Sequence, residues 1–174
     1  MGSDCVDGVE QVPVPDGHEE APVPVVRNAD HVTLAVHDRD AAIATLELFG
    51  FRLDHVATID GGVPAEYMGM PDMRAEHITL ALDGPPRFEI QLLHFEPEVD
   101  AEAIAPSNFT RHGFNHLALR VDDLDDMAAH LEANGVCRQN DAMSFIGRRL
   151  QFFEGPEGTT IELVEWLDPS SGSA

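Results

Sequence analysis

Apolar and polar residues alternate in two short stretches, HVTLAV at 31–36 and HLALRV at 116–121, with Val32, Leu34, Val36 and Leu117, Leu119, Val121 on every second position. A period of two predicts a strand with one buried face. Each stretch is followed by Asp-rich helix-start signals, a helical run, and a stop at Gly50 or Gly135. Further strands are predicted near 52–59, 76–82 and 88–95, and again near 137–145, 148–154 and 159–166, with Gly-Pro turns before the last of each set.

The order is therefore β-α-β-β-β, twice, and the residues repeat along with the elements. DHVTLAVHDRDAAIATLELFGF at 30–51 aligns without gaps over NHLALRVDDLDDMAAHLEANGV at 115–136, so that His31 meets His116, Asp38 meets Asp123, Leu46 meets Leu131 and Gly50 meets Gly135. LDGPPRFEIQLLHF at 82–95 aligns over FEGPEGTTIELVEW at 153–166, where Gly84 meets Gly155 and Gln91 meets Glu162. The implied organisation is an extended acidic tail at 1–27, a first module at 28–97, a connector at 98–113, a second module at 114–168 and a short Ser/Gly tail at 169–174. The fold class is α+β, two tandem β-α-β-β-β modules whose strands form a curved mixed sheet around a cavity.

Alternation also assigns faces. His31, Thr33 and Ala35 lie opposite the apolar set of the first strand, and His116, Ala118 and Arg120 lie opposite that of its repeat. Gln91, Leu93 and Phe95 share a face in one last strand, and Glu162, Val164 and Trp166 share one in the other. All four polar residues thus avoid the side that carries the helices. Two imidazoles and a carboxylate match a facial triad for a divalent ion, with the Gln91 amide oxygen as a fourth donor. Each residue taken alone reads as a solvated strand residue; their recurrence at equivalent places in both modules favours a metal set of His31, Gln91, His116 and Glu162.

Composition narrows the partners. With 10 Lys+Arg against 32 Asp+Glu the net charge is −22, which excludes a phosphate-binding stripe and disfavours nucleic acid or an anionic membrane. All the basic residues are Arg. Two cysteines, Cys5 and Cys137, are too few for a disulfide framework or thiolate zinc site, and neither a signal peptide nor a membrane span is read from the chain. The expected location is cytoplasmic.

The repeats resemble the vicinal-oxygen-chelate superfamily, which includes glyoxalase I, extradiol dioxygenases and the bleomycin-resistance proteins. FNHLALRVDDLD and GPEGTTIELVEW carry the likeness in the second module and DHVTLAV in the first. The resemblance spans about 29–167 and implies metal positions at His31, Gln91, His116 and Glu162. It implies a divalent ion (Fe, Zn, Ni, Co or Mn), a small-molecule substrate and a homodimer. The leading expectation is a lyase or isomerase that chelates neighbouring substrate oxygens, with Glu162 handling a proton. An Fe(II) extradiol-type dioxygenase and a metal-free small-molecule binding or resistance protein stand as alternatives. Gln91 replaces the glutamate of glyoxalase I, so a second base would come from another acid such as Glu66 or Glu89.

Other residues have weaker claims. Tyr67, the only Tyr, lies in the Met-rich stretch PAEYMGMPDM at 64–73, read as a lid or core filler, and is a candidate proton donor. Phe95 and Trp166 are candidate substrate walls. Arg120 is a candidate anchor for a substrate carboxylate, as are Arg148 and Arg149. His77 and His94 have no His counterpart in the other repeat and are read as non-ligands; His18 and His112 are assigned to solvent.

Overall fold

The computed structural model describes residues 29–96, 113–145 and 147–167. The tails expected at 1–27 and 169–174, and all but the last residue of the connector at 98–113, lie outside those residues. The first module comprises β1 (His31–Ala35), α1 (Arg39–Leu48), β2 (Arg52–Asp60), α2 (Gly62–Tyr67), β3 (Arg74–Leu82) and β4 (Phe88–Phe95). The second comprises β5 (Leu117–Val121), α3 (Leu124–Ala133), β6 (Met143–Phe145), β7 (Arg148–Glu154), a one-turn 3-10 helix (Pro156–Gly158) and β8 (Thr160–Trp166). The strands form two four-stranded sheets of identical topology, β1-β4-β3-β2 and β5-β8-β7-β6. In each, the first strand pairs in parallel with the last and the remaining pairs are antiparallel.

The aligned residues do the same structural work twice. The Asp38 carboxylate accepts a hydrogen bond from the Ala41 N–H and the Asp123 carboxylate from the Asp126 N–H, each at 2.9 Å, so both helices start on an aspartate cap. Both stop at a glycine with positive φ, 90° at Gly50 and 85° at Gly135, a conformation that a side chain would resist. Leu46 and Leu131 are each fully buried, and each contributes roughly 1.5–3 kcal/mol by leaving water.

The two modules share one core. Val36, Leu46, Phe51, Leu80, Ile90 and Leu92 of the first join Leu119, Leu131, Phe153, Ile161 and Leu163 of the second in a single apolar cluster. These are the residues on the helix-bearing sides of the sheets, so the modules meet through those sides. At the seam the Glu157 carboxylate accepts the His37 backbone N–H at 2.7 Å and pairs with His37 Nδ1 at 3.1 Å. Glu157 does so from a left-handed conformation, φ 54° and ψ 32°.

Two local expectations are corrected. The strand expected over 137–145 is regular only at Met143–Phe145. Upstream the chain still follows β7, with Gln139 N–H donating to the Phe152 carbonyl and Glu154 N–H to that of Cys137. The ladder breaks because the Asn140 side chain takes the Phe152 N–H at 2.7 Å. Within the stretch at 64–73, read as a lid or filler, the first residues belong to the helix α2, and Ala65 and Met73 are buried with Ile59, Ala75 and Leu93 in a second apolar cluster. No helix among the described residues is long and apolar enough to cross a membrane.

Candidate metal centre

Strand register places the marked residues on the sheet faces turned away from the common core. In the first sheet His31 lies beside Glu89 and Thr33 beside Gln91, and Gln91 in turn lies beside Thr79. In the second, Ala118 lies beside Glu162, which lies beside Phe152, and His116 immediately precedes β5.

His116 Nε2 stands 3.5 Å from Glu162 Oε2, a separation suited to two ligands of one ion, and the Glu162 side chain is only 13% exposed. The Phe152 ring meets the His116 imidazole edge-on with centroids 5.3 Å apart, holding the ring against the strand. His116 Nδ1 donates to Asn115 Oδ1 at 2.8 Å. His31 Nδ1 likewise donates to Asp30 Oδ1 at 2.8 Å. In both modules the residue before the histidine therefore accepts the Nδ1–H hydrogen bond and leaves the Nε2 lone pair for a ligand, with His116 Nε2 turned toward Glu162, the arrangement by which metal-binding histidines are oriented.

Gln91 is already engaged. Its Oε1 accepts from His77 Nε2 at 3.0 Å and its Nε2 donates to Glu89 Oε2 at 3.1 Å. The Glu89 carboxyl is held below its ordinary range, first by the hydrogen bond from Arg87 and then by that from Gln91. Beside Gln91 the buried Thr79 hydroxyl has no hydrogen-bond partner among the described residues. The contact that His77, read as a non-ligand, makes to Gln91 has no counterpart in the second module, where its structural equivalent is Leu150, as Leu93 and Val164 show by register. The alternation His77, Thr79 opposite Gln91 was the signal available.

The other sequence candidates are scattered over both faces of the sheets and over α2. Phe95 packs against the cluster under α2, and Tyr67 projects from the end of that helix, 91% exposed. Glu66 sits beside it on α2, exposed. Trp166 is half exposed and lies under the Arg148 guanidinium, whose carbon is 4.1 Å from the ring centroid. Arg149 points to the opposite face and holds Asp125 and Glu165. His94 directs Nδ1 to the Val36 carbonyl at 3.3 Å. The described residues of one chain gather no group of three or more His, Cys, Asp or Glu that could hold a metal ion. They supply a pair, His116 and Glu162, in one sheet, and His31 with Gln91 in the other.

Comparison with known proteins agrees with this architecture. The chain is 37% identical over 87 residues to the uncharacterised protein YaeR of Escherichia coli, an overlap covering 49% of this chain and 63% of that one. A glyoxalase family protein from Bacillus cereus superposes with a TM-score of 0.73 at 25% identity, covering 83% of this chain and 97% of its own. A glyoxalase I variant from Zea mays superposes with a TM-score of 0.58 at 24% identity, covering 79% of this chain and 45% of its own, which speaks to the fold alone. Residues 28–163 match the family model described as Glyoxalase/Bleomycin resistance protein/Dioxygenase superfamily, and the chain belongs to that superfamily.

Proposed function

We propose that this protein is a divalent-metal-dependent lyase or isomerase of the glyoxalase type, acting on a small oxygen-rich substrate, with His31, His116, Glu162 and Gln91 as the metal set. The observation that carries the reading is the repeated treatment of the two histidines, each with Nδ1 tied to the preceding side chain, and in His116 with Nε2 turned toward the Glu162 carboxylate at 3.5 Å. The donor set suits a divalent ion, and the nearly buried Glu162 carboxylate lies beside His116 with no other cation within ion-pair distance among the described residues. When bound, such an ion would supply Lewis acidity to neighbouring substrate oxygens. In this reading Glu162 would take or return a proton at a carbon beside those oxygens.

Because the modules meet through their helix-bearing sides, each chain turns its two half-sites outward. A second copy completes the set by bringing its second module to the first module of its neighbour, which fits a homodimer. One observation favours the dioxygenase reading as the second choice. With Gln91 held by His77 and Glu89, the residues left for metal are two His and one Glu, the donor set of Fe(II) oxygenases.

The test is elemental analysis of protein purified without chelator or metal-binding tag, beside a His116→Ala control. Near-stoichiometric metal that disappears in the control is the expected result. Iron together with oxygen uptake moves the assignment to the dioxygenase. No metal, even after incubation with each ion, refutes both and leaves a metal-free binding protein.

A further inference from the structure

Eight of the ten arginines lie among the described residues. Six of them, Arg39, Arg52, Arg74, Arg87, Arg138 and Arg149, hold a carboxylate at 2.5–3.2 Å. In a chain with 32 Asp+Glu that is the expected fate of a guanidinium. Arg120 and Arg148 are the exceptions: neither has a carboxylate within ion-pair distance among the described residues, and both are exposed. They also share a place. Arg120 lies beside Val164 and Arg148 beside Trp166, on the same face of the second sheet as Glu162.

Strand geometry puts the two arginine Cα atoms about 12 Å apart across β8, so that two long side chains can converge over Val164 and Trp166. It puts the row of Val164 about 7 Å along the strand from that of Glu162. Trp166 braces one of the two cations, since stacking on an indole fixes the guanidinium plane and leaves its N–H edge free.

We propose that this pair binds the anionic group of the substrate, a carboxylate or a phosphate-type oxyanion, at the end of the site remote from Glu162. The substrate class is then a small organic anion with its reacting oxygens separated from the charged group by a few bonds. The placement of those oxygens rests on the metal-centre reading given above; the anion site itself does not. Guanidinium forks match carboxylate and phosphate oxygens through two parallel N–H donors. Leaving two cations unpaired on this face is what lets an anion approach a protein of net charge −22.

Trp166 is the only tryptophan, so its emission reports on this site. Metal-stripped protein is titrated with malonate and, separately, with inorganic phosphate, with malonamide as the uncharged control. The expected result is a saturable change in Trp166 emission with at least one anion and none with malonamide. The affinity should fall at least tenfold in Arg120→Gln, which leaves the stacked pair intact, and in Arg148→Gln, while Arg52→Gln on the other sheet has no effect. Whether malonate or phosphate binds more tightly assigns the carboxylate or phosphate class. An equal response to malonamide, no saturable response to either anion, or an unchanged affinity in Arg120→Gln overturns the proposal. Since no metal is present, these outcomes are independent of the elemental analysis that tests the metal centre.

Discussion

Asn115 and Asp30 give their histidines the same orientation by different chemistry, a neutral amide oxygen in one module and a carboxylate in the other. Removing such a partner leaves the ligand in place but frees its ring, which typically costs ten- to a hundredfold in metal affinity. Asn115→Ala is therefore expected to weaken metal binding about tenfold or more, measured by competition against a chromophoric chelator, with Asn115→Asp restoring it. An affinity unchanged in the alanine variant would show that His116 does not depend on this contact. At this scale the sequence displayed the paired positions, because His31 with His116 and Gln91 with Glu162 recur under alignment. It did not display the chain of hydrogen bonds from His77 through Gln91 to Glu89, since a contact made by only one module has no repeat to reveal it. That chain makes Gln91 a held residue rather than a free one, and it marks the first half-site as chemically unlike the second.

The elements were legible where a period or a cap defined them. The helices α1 and α3 follow an aspartate and end before a glycine, and each strand that carries a marked residue shows its alternation. Legibility failed where a side chain competes with the backbone, as Asn140 does along β7, and where a short helix begins at Gly62 and holds Pro64 within it. The Gly-Pro turn expected before the last strand is the 3-10 turn at Pro156–Gly158, but nothing in the sequence marked it as the place where the modules are clasped. Glu157 pays for its left-handed backbone with the contacts its carboxylate makes to His37. Glu157→Ala loses those contacts and keeps the unfavourable φ, so a loss of about 1–2 kcal/mol is expected in urea unfolding. Glu157→Gly removes the same carboxylate yet suits the backbone, and should be destabilised less. Equal losses would mean that the turn stores no strain. Burial pushes the Glu157 carboxyl up, but hydrogen bonds from His37 outweigh it and its pKa is lowered in the folded protein. A group with a depressed folded pKa contributes its stability above its unfolded value, about 4.3 for Glu, and loses it as pH falls through the folded value. The electrostatic part of the difference between the wild type and Glu157→Ala should hence be full at neutral pH and shrink below about pH 4.

At the scale of the whole molecule, one shared core has a consequence for where a complete site can form. The apolar cluster joins the helix-bearing sides of both sheets, and the faces with His31 and with Glu162 are both opposite it. If two copies exchange half-sites, a protein lacking the first set and a protein lacking the second can repair each other. His31→Ala combined with Gln91→Ala destroys every first half-site in its own dimer; His116→Ala combined with Glu162→Ala destroys every second one. Neither homodimer binds metal. After unfolding and refolding together in equal amounts, half the dimers are mixed, and each mixed dimer contains one site built from two intact halves. Metal should return to about a quarter of the wild-type content, the value that random pairing in a two-fold dimer gives. A site formed within one chain gives no recovery at all, because every chain in the mixture carries a broken half. Sedimentation of the mixture separates this outcome from a failure to pair, since a monomeric protein would show neither the dimer nor the metal and would place the two half-sites in different roles.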